Sequence, residues 1–225
     1  MKICPKCGIN LINDGDQLCN ICKNAQQYDS SYYEQRKINR STGLYIKEKT
    51  KSLIIKCMQT HFNHSQNGLS QTKIFKGCNL GWGDKKNTTE TQQQFWVVAL
   101  LKELEEENIV QQINKIWHLT ELGKRKVVDL KEFRGLKFSQ AGEQIKTMAK
   151  NAIISYMQNE PSCSNFETGI SQTELFQECG ISGYGYEKAE TERQQFWLIG
   201  LLRTLEQENV VYRNAKRKWV MCKHH

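Results

Sequence analysis

Residues 68–83 read GLSQTKIFKGCNLGWG and residues 93–110 read QQFWVVALLKELEEENIV; 101 positions later, residues 169–184 read GISQTELFQECGISGY and residues 194–211 read QQFWLIGLLRTLEQENVV. A repeat this close makes the chain a tandem of one small module, and the type of module constrains the fold more than any single residue does. Gly68, Ser70, Phe75, Cys78, Trp96, Leu104 and Asn108 return as Gly169, Ser171, Phe176, Cys179, Trp197, Leu205 and Asn209.

The apolar spacing inside one copy predicts its elements. Lys51 to Phe62 carries Leu53, Ile54, Cys57 and Met58 at helical spacing. Gly68 to Thr72 leads into a short helix with Ser70 as N-cap. A long helix runs from Thr89 to Asn108, capped by Thr88 or Thr89. It is apolar on most sides from Phe95 to Leu104, as the central helix of a small domain must be. Its Phe-Trp pair is therefore read as core rather than as a platform for stacked bases. Residues 109–113 and 116–120 then flank Asn114-Lys115, a two-residue hairpin turn. The second copy ends with Val210 to Tyr212, the basic turn 213–218, and Trp219 to Met221. Three helices followed by a β-hairpin describe a winged helix.

The N-terminus carries a different signal. Cys4-Pro-Lys-Cys7 is followed by eleven residues and then Cys19-Asn-Ile-Cys22. Two thiolate pairs of this spacing make a closed tetrahedral shell for one structural Zn2+, with Asn13 to Asp16 as the turn between the knuckles. The alternative for such pairs is a redox CxxC or a disulfide. The remaining five cysteines are scattered, which suits small buried thiols in a reducing, intracellular setting, nuclear in a eukaryote or cytoplasmic in a prokaryote. No run of 18 apolar residues is present, so no membrane span is expected, and MKICPKCG has no signal-peptide core.

The expected fold class is therefore α+β: a zinc ribbon at 1–25, a linker at 26–50, a winged helix at 51–130, a basic helical linker at 131–150 and a second winged helix at 151–225. The module resembles the winged helix of the RecQ-helicase C-terminal domain. The resemblance rests on an aromatic-glycine turn (Gly81-Trp82-Gly83; Gly183-Tyr184-Gly185) and on a helix carrying a Trp (Trp96; Trp197). It rests also on Leu-x3-Asn-hydrophobic at the start of the wing (Leu104 to Ile109; Leu205 to Val210) and on Leu119-Thr120-Glu121-Leu122-Gly123, which the second copy lacks. It implies DNA binding at duplex ends or junctions, with the wing as a contact or strand-separating element. The chain carries no helicase core or Walker motif, so strand separation driven by ATP does not carry over.

A moderately basic chain suits nucleic acid, although most basic soluble proteins carry their charge for other reasons. The chain has a formal net charge of +8, and residues 121–150 hold 8 basic against 4 acidic residues. Candidate DNA contacts in the first copy are Lys85, Lys86, Gln92 and Gln93 at the start of the long helix and Lys115 on the wing. Lys124, Arg125 and Lys126 follow it. In the second copy the helix start carries Glu187, Glu190 and Glu192, and the cations sit in the wing: Arg213, Lys216, Arg217 and Lys218. The copies are expected to have diverged, the first contacting DNA by helix and wing and the second by wing or through a protein partner. No catalytic motif stands out, and His61 and His64 read as surface residues. The expectation is a non-enzymatic DNA-binding subunit of a transcription, chromatin or DNA-processing complex, with duplex or junction DNA and protein partners and no small-molecule substrate. The alternatives are a protein-interaction scaffold and the DNA-recognition subunit of a restriction or methyltransferase system.

Overall fold

A computed structural model of the protein describes residues 2–3, 11–12, 30–65, 67–83, 89–181 and 190–222. It divides into a small unit, Met1–Ile38, and a large one, Asn39–His225. The architecture is α+β, mostly helical with small antiparallel sheets. Among the described residues no helix is long and apolar enough to cross a membrane. In the small unit, β1 (Lys2–Ile3) pairs antiparallel with β2 (Leu11–Ile12). The expected zinc ligands Cys4, Cys7, Cys19 and Cys22 lie outside the described residues, as do Lys85 and Lys86.

The first helix is longer than its apolar stripe suggests. α1 spans Ser30–Ser65, so the expected linker at 26–50 is largely helical and continuous with the expected helix from Lys51. No proline falls in this stretch, and only Gly43 weakens it. Leu53, Ile54, Cys57 and Met58 are buried, as their spacing predicts. The first block continues with β3 (Leu69–Ser70), α2 (Gln71–Gly77), α3 (Glu90–Glu106), β4 (Val110–Ile113) and β5 (Ile116–Leu119). Ser70 caps α2, accepting from the Lys73 amide, and Thr89 caps α3 in a capping box with Gln92. The strands form one antiparallel sheet in the order β3-β5-β4.

The second block repeats the order. After α4 (Glu121–Arg125) and a 3-10 turn at Lys131–Phe133, α5 spans Phe138–Asn159. The expected linker at 131–150 is thus in large part the first helix of the second block. α6 (Pro161–Ser164), α7 (Gln172–Glu178), α8 (Glu190–Gln207), β6 (Val211–Arg213) and β7 (Trp219–Met221) follow. Ile170 bridges Trp219 as Leu69 pairs with Trp117 in the first block.

The Leu-x3-Asn-hydrophobic motif has a local cause. Asn108 and Asn209 both sit at φ 57°, the left-handed region that ends a helix. The Ile109 amide then donates to the Leu104 carbonyl at 2.8 Å, and Val210 to Leu205 at 2.9 Å. Each motif turns the chain from the long helix into the hairpin. Downstream of the first hairpin, the Thr120 hydroxyl donates to the Asn108 carbonyl at 2.6 Å and accepts from the Gly123 amide at 3.1 Å. A Cβ on Gly123 would sit 2.1 Å from the Ile109 carbonyl oxygen, so glycine is required there.

The blocks are not beads on a string. α3 and α8 pack on each other, and contacts are exchanged reciprocally. Trp96 Nε1 donates to the Ile181 carbonyl at 2.9 Å and Trp197 Nε1 to the Leu80 carbonyl at 2.8 Å. Gly43 on α1 lies against the Cys179 carbonyl of the second block, and Gly142 on α5 against the Cys78 carbonyl of the first. At the same junctions Arg40 pairs with Glu178 at 2.8 Å and Asn79 donates to Glu143 at 2.8 Å. One apolar core runs through both blocks, including Trp96, Trp117, Trp197 and Trp219. The duplicated blocks thus form an internal dimer about an approximate two-fold.

Candidate nucleic-acid interface

The two hairpins present the candidate cations. In the first, the register Ile113↔Ile116 leaves Asn114 and Lys115 as the loop, at φ 49° and 64°. Two positive φ values in succession are what a tight hairpin matching the strand twist needs. Lys115 is exposed at the tip. Beyond β5, Lys124 pairs with Glu121 at 2.5 Å and lies over the Phe62 ring. Lys126 pairs with Glu107 at 3.4 Å, whereas Arg125 is 84% exposed and only 4.0 Å from Glu121. Of these three, Arg125 is the one most open to a phosphate.

The second hairpin closes at Arg213↔Trp219 and carries a longer loop. Asn214 organises it: its amide donates to the Lys218 carbonyl, its Oδ1 accepts from the Lys218 amide, and its Nδ2 donates to the Phe166 carbonyl at 2.8 Å. Arg217 completes the turn at φ 59°. Arg213 lies over the Trp219 ring and its Nε donates to the Arg217 carbonyl. Burial, then the neighbouring charges of Arg203 and Arg217, lowers the Arg213 guanidinium pKa from its ordinary value, and it stays charged at neutral pH. Among the described residues no carboxylate reaches ion-pairing distance of Lys115, Lys216, Arg217 or Lys218. The loop and its neighbours enclose an open hollow of about 580 Å³ lined by Phe166, Tyr212 and Lys216.

The long helix is placed differently from the expectation. Gln93 is 1% exposed, and its Oε1 accepts from the Trp82 amide at 2.7 Å. It faces the interior and cannot meet a base edge. Gln92 is turned back on the helix start, its Oε1 accepting from the Thr89 amide at 2.9 Å. The helix stays buried because the second block covers it: Trp96 stacks on Trp197, and Phe95 meets Phe196 with centroids 6.4 Å apart. The expectation treated each block alone, and nothing in one copy shows that the other copy covers its central helix.

Two exposed aromatic side chains beside the second hairpin were missed by the sequence reading: Phe166, 61% exposed, and Tyr212, 36% exposed. Alternation in β6, with Val211 inward and Tyr212 outward, is the signal that could have found the second. Among the described residues no group of three or more His, Cys, Asp or Glu could hold a metal ion. The cysteines Cys57, Cys78, Cys163 and Cys179 are buried free thiols. Burial, then the charge of Glu160, pushes the Cys163 thiol up to about 12, so it stays protonated and unreactive at neutral pH. No family model matches the chain, and no curated protein or solved structure matches it either.

Proposed function

We propose that each block is a winged helix and that the protein is a non-enzymatic, wing-directed DNA-binding subunit. The order helix, strand, helix, helix, then two hairpin strands in the first block, with the Ile170 bridge standing in for the strand in the second, supports the winged-helix reading, and the resemblance to the RecQ-helicase C-terminal domain agrees with it. The single observation that carries the function is the pair of outward hairpins whose cations Lys115, Lys216, Arg217 and Lys218 have no carboxylate partner among the described residues. Unpaired cations on protruding loops meet phosphates at low desolvation cost. With α3 and α8 committed to each other, the backbone, rather than base edges, is the main target. The four N-terminal cysteines are proposed as a zinc ribbon that adds a second small module to the assembly.

Titration of the full chain against a fluorescent blunt duplex and a four-way junction, each at two salt concentrations, tests this. Binding that weakens steeply with salt supports it; absence of binding to both at low salt ends it. The burial of α3 and α8 favours a second reading, a scaffold whose blocks dock proteins. In that case reversing charge at Lys216, Arg217 and Lys218 leaves DNA affinity where it was.

A further inference from the structure

A second surface adjoins the base of the first hairpin, where Leu119 of β5 joins its lining. The chain between α4 and α5 (residues 126–137) runs beside the outer face of α1 and leaves a trough of about 800 Å³. Its floor is apolar, with Leu53, Val128, Leu130, Phe133, Leu136 and Phe138. An adjoining hollow of about 430 Å³ shares Lys56, Val127, Val128 and Leu130 with it, so the two form one continuous feature. Val127 stands at the junction, 94% exposed, an aliphatic side chain with no cover. Isolated exposed apolar residues are ordinary, but here one projects over an apolar trough.

The rim is cationic. Lys56, Lys131 and Arg134 line the trough, and no carboxylate among the described residues reaches ion-pairing distance of them. The acid on the rim, Asp129, faces Lys49 at 3.6 Å. Lys124 and Lys126 line the adjoining hollow but are ion-paired with Glu121 and Glu107, so the free cations are those of the trough itself. Free cations around an aliphatic floor complement a ligand that is both acidic and apolar. Nucleic acid satisfies the charge but has no large aliphatic groups for the floor, and base stacking needs aromatic platforms, of which the floor supplies only the half-buried Phe138, since Phe133 is 5% exposed. An acidic amphipathic peptide satisfies both requirements.

We infer that this trough is a docking site for an acidic, amphipathic segment of a protein partner. The segment's large apolar side chains enter between Val128 and Leu136, and its carboxylates meet Lys56, Lys131 and Arg134. This surface stands whether or not the hairpins bind DNA.

The probe is a fluorescein-labelled synthetic helical peptide with leucine and phenylalanine on one face and glutamate on the other, titrated against the full chain by anisotropy. A scrambled peptide of equal composition and charge is the control. Binding in the micromolar range is expected, with the scrambled peptide at least about tenfold weaker. The triple variant Lys56→Glu, Lys131→Glu, Arg134→Glu should weaken binding about tenfold or more, and Val127→Ser, which leaves charge alone, about threefold. These exposed sites leave the circular dichroism spectrum unchanged. Equal binding of the scrambled peptide overturns the inference, as does absence of binding at millimolar peptide. Displacement of the peptide by duplex DNA, with an equal loss of DNA affinity in the triple variant, also overturns it and assigns the trough to nucleic acid.

Discussion

Trp96 and Trp197 lie face to face, ring centroids 4.0 Å apart and planes inclined by 21°, and each indole donates its hydrogen bond to the block that the other belongs to. This pair ties the duplicated blocks into one cooperative body. If so, the substitutions Trp96→Phe and Trp197→Phe are not independent. Each leaves a buried carbonyl without its donor and costs about 1–3 kcal/mol. The double variant departs from additivity by about 0.5–1.5 kcal/mol, the range measured for aromatic pairs. Urea unfolding of the four proteins in the cycle measures this, and additive losses with two separate transitions mean that the blocks fold apart.

Glycine in a helix is normally a weakness that alanine repairs by about 1 kcal/mol. Gly43 and Gly142 invert that rule. A Cβ at Gly43 would sit 1.6 Å from the Cys179 carbonyl oxygen, and one at Gly142 would sit 1.8 Å from that of Cys78. The obstacle in both cases is backbone, which cannot swing aside. Gly43→Ala and Gly142→Ala should each destabilise by about 1–3 kcal/mol, seen as a lower urea midpoint. A stabilised variant would show that α1 and α5 do not cross onto the opposite block.

Much of one block is legible in its sequence. Ser70 and Thr89 as caps, the Asn114-Lys115 turn and the buried stripe of α1 all follow from rules acting over a few residues, and all are present. The internal dimer does not follow from such rules. Gly43 carries no sign that its neighbour is Cys179, 136 positions away in the chain. The apolar surround of α3 said that it would be central, yet could not say that the other copy covers it. Gln93 shows the consequence. By residue type and position it suits a base contact, and the Trp82 backbone claims it instead.

Lys51 and Glu107 give the large unit a pH signature. Burial would lower the Lys51 pKa, but its hydrogen bonds and charge interactions with Glu107 and Glu48 outweigh this and raise it. Burial would raise Glu107, and Lys51, then Lys126, outweighs that and lowers it. A raised lysine adds stability that is present below its unfolded value of 10.5 and lost as pH rises through the folded one. A depressed carboxyl adds stability that is present above 4.5 and lost as pH falls through the folded value. Thermal unfolding should therefore be most resistant between these limits and decline on both sides. Lys51→Met, about 1–3 kcal/mol less stable at neutral pH, should show a shallower decline on the alkaline side. An unchanged pH profile would remove the pair from the account.

The proposed ribbon makes a stoichiometric claim. Protein purified without chelator should contain one equivalent of Zn2+ by emission spectrometry, and Cys4→Ser with Cys19→Ser should abolish it. Because residues from Asn39 onward form their own compact unit, the main thermal transition should keep its midpoint in this variant. Zinc-free wild-type protein, or one disulfide per CxxC by mass, would replace the ribbon with the redox reading.

Salt dependence separates hairpin contacts from other modes of binding. For duplex DNA, log Kd rises with log salt in proportion to the number of phosphates neutralised, with a slope of about 0.9 per contact. Lys216, Arg217 and Lys218 project from one loop with no carboxylate in reach among the described residues. Their joint replacement by alanine should lower the slope by about 2–3 and weaken binding at low salt by more than tenfold. Lys115→Ala, a single cation on a two-residue turn, should lower it by no more than about 1. Gln93→Leu tests the opposite claim. The buried amide serves Trp82, so this variant should lose stability while its slope and its sequence preference stay as they were. A change of sequence preference in Gln93→Leu would mean that α3 leaves the internal dimer to enter a groove, and the hairpins would then be secondary contacts.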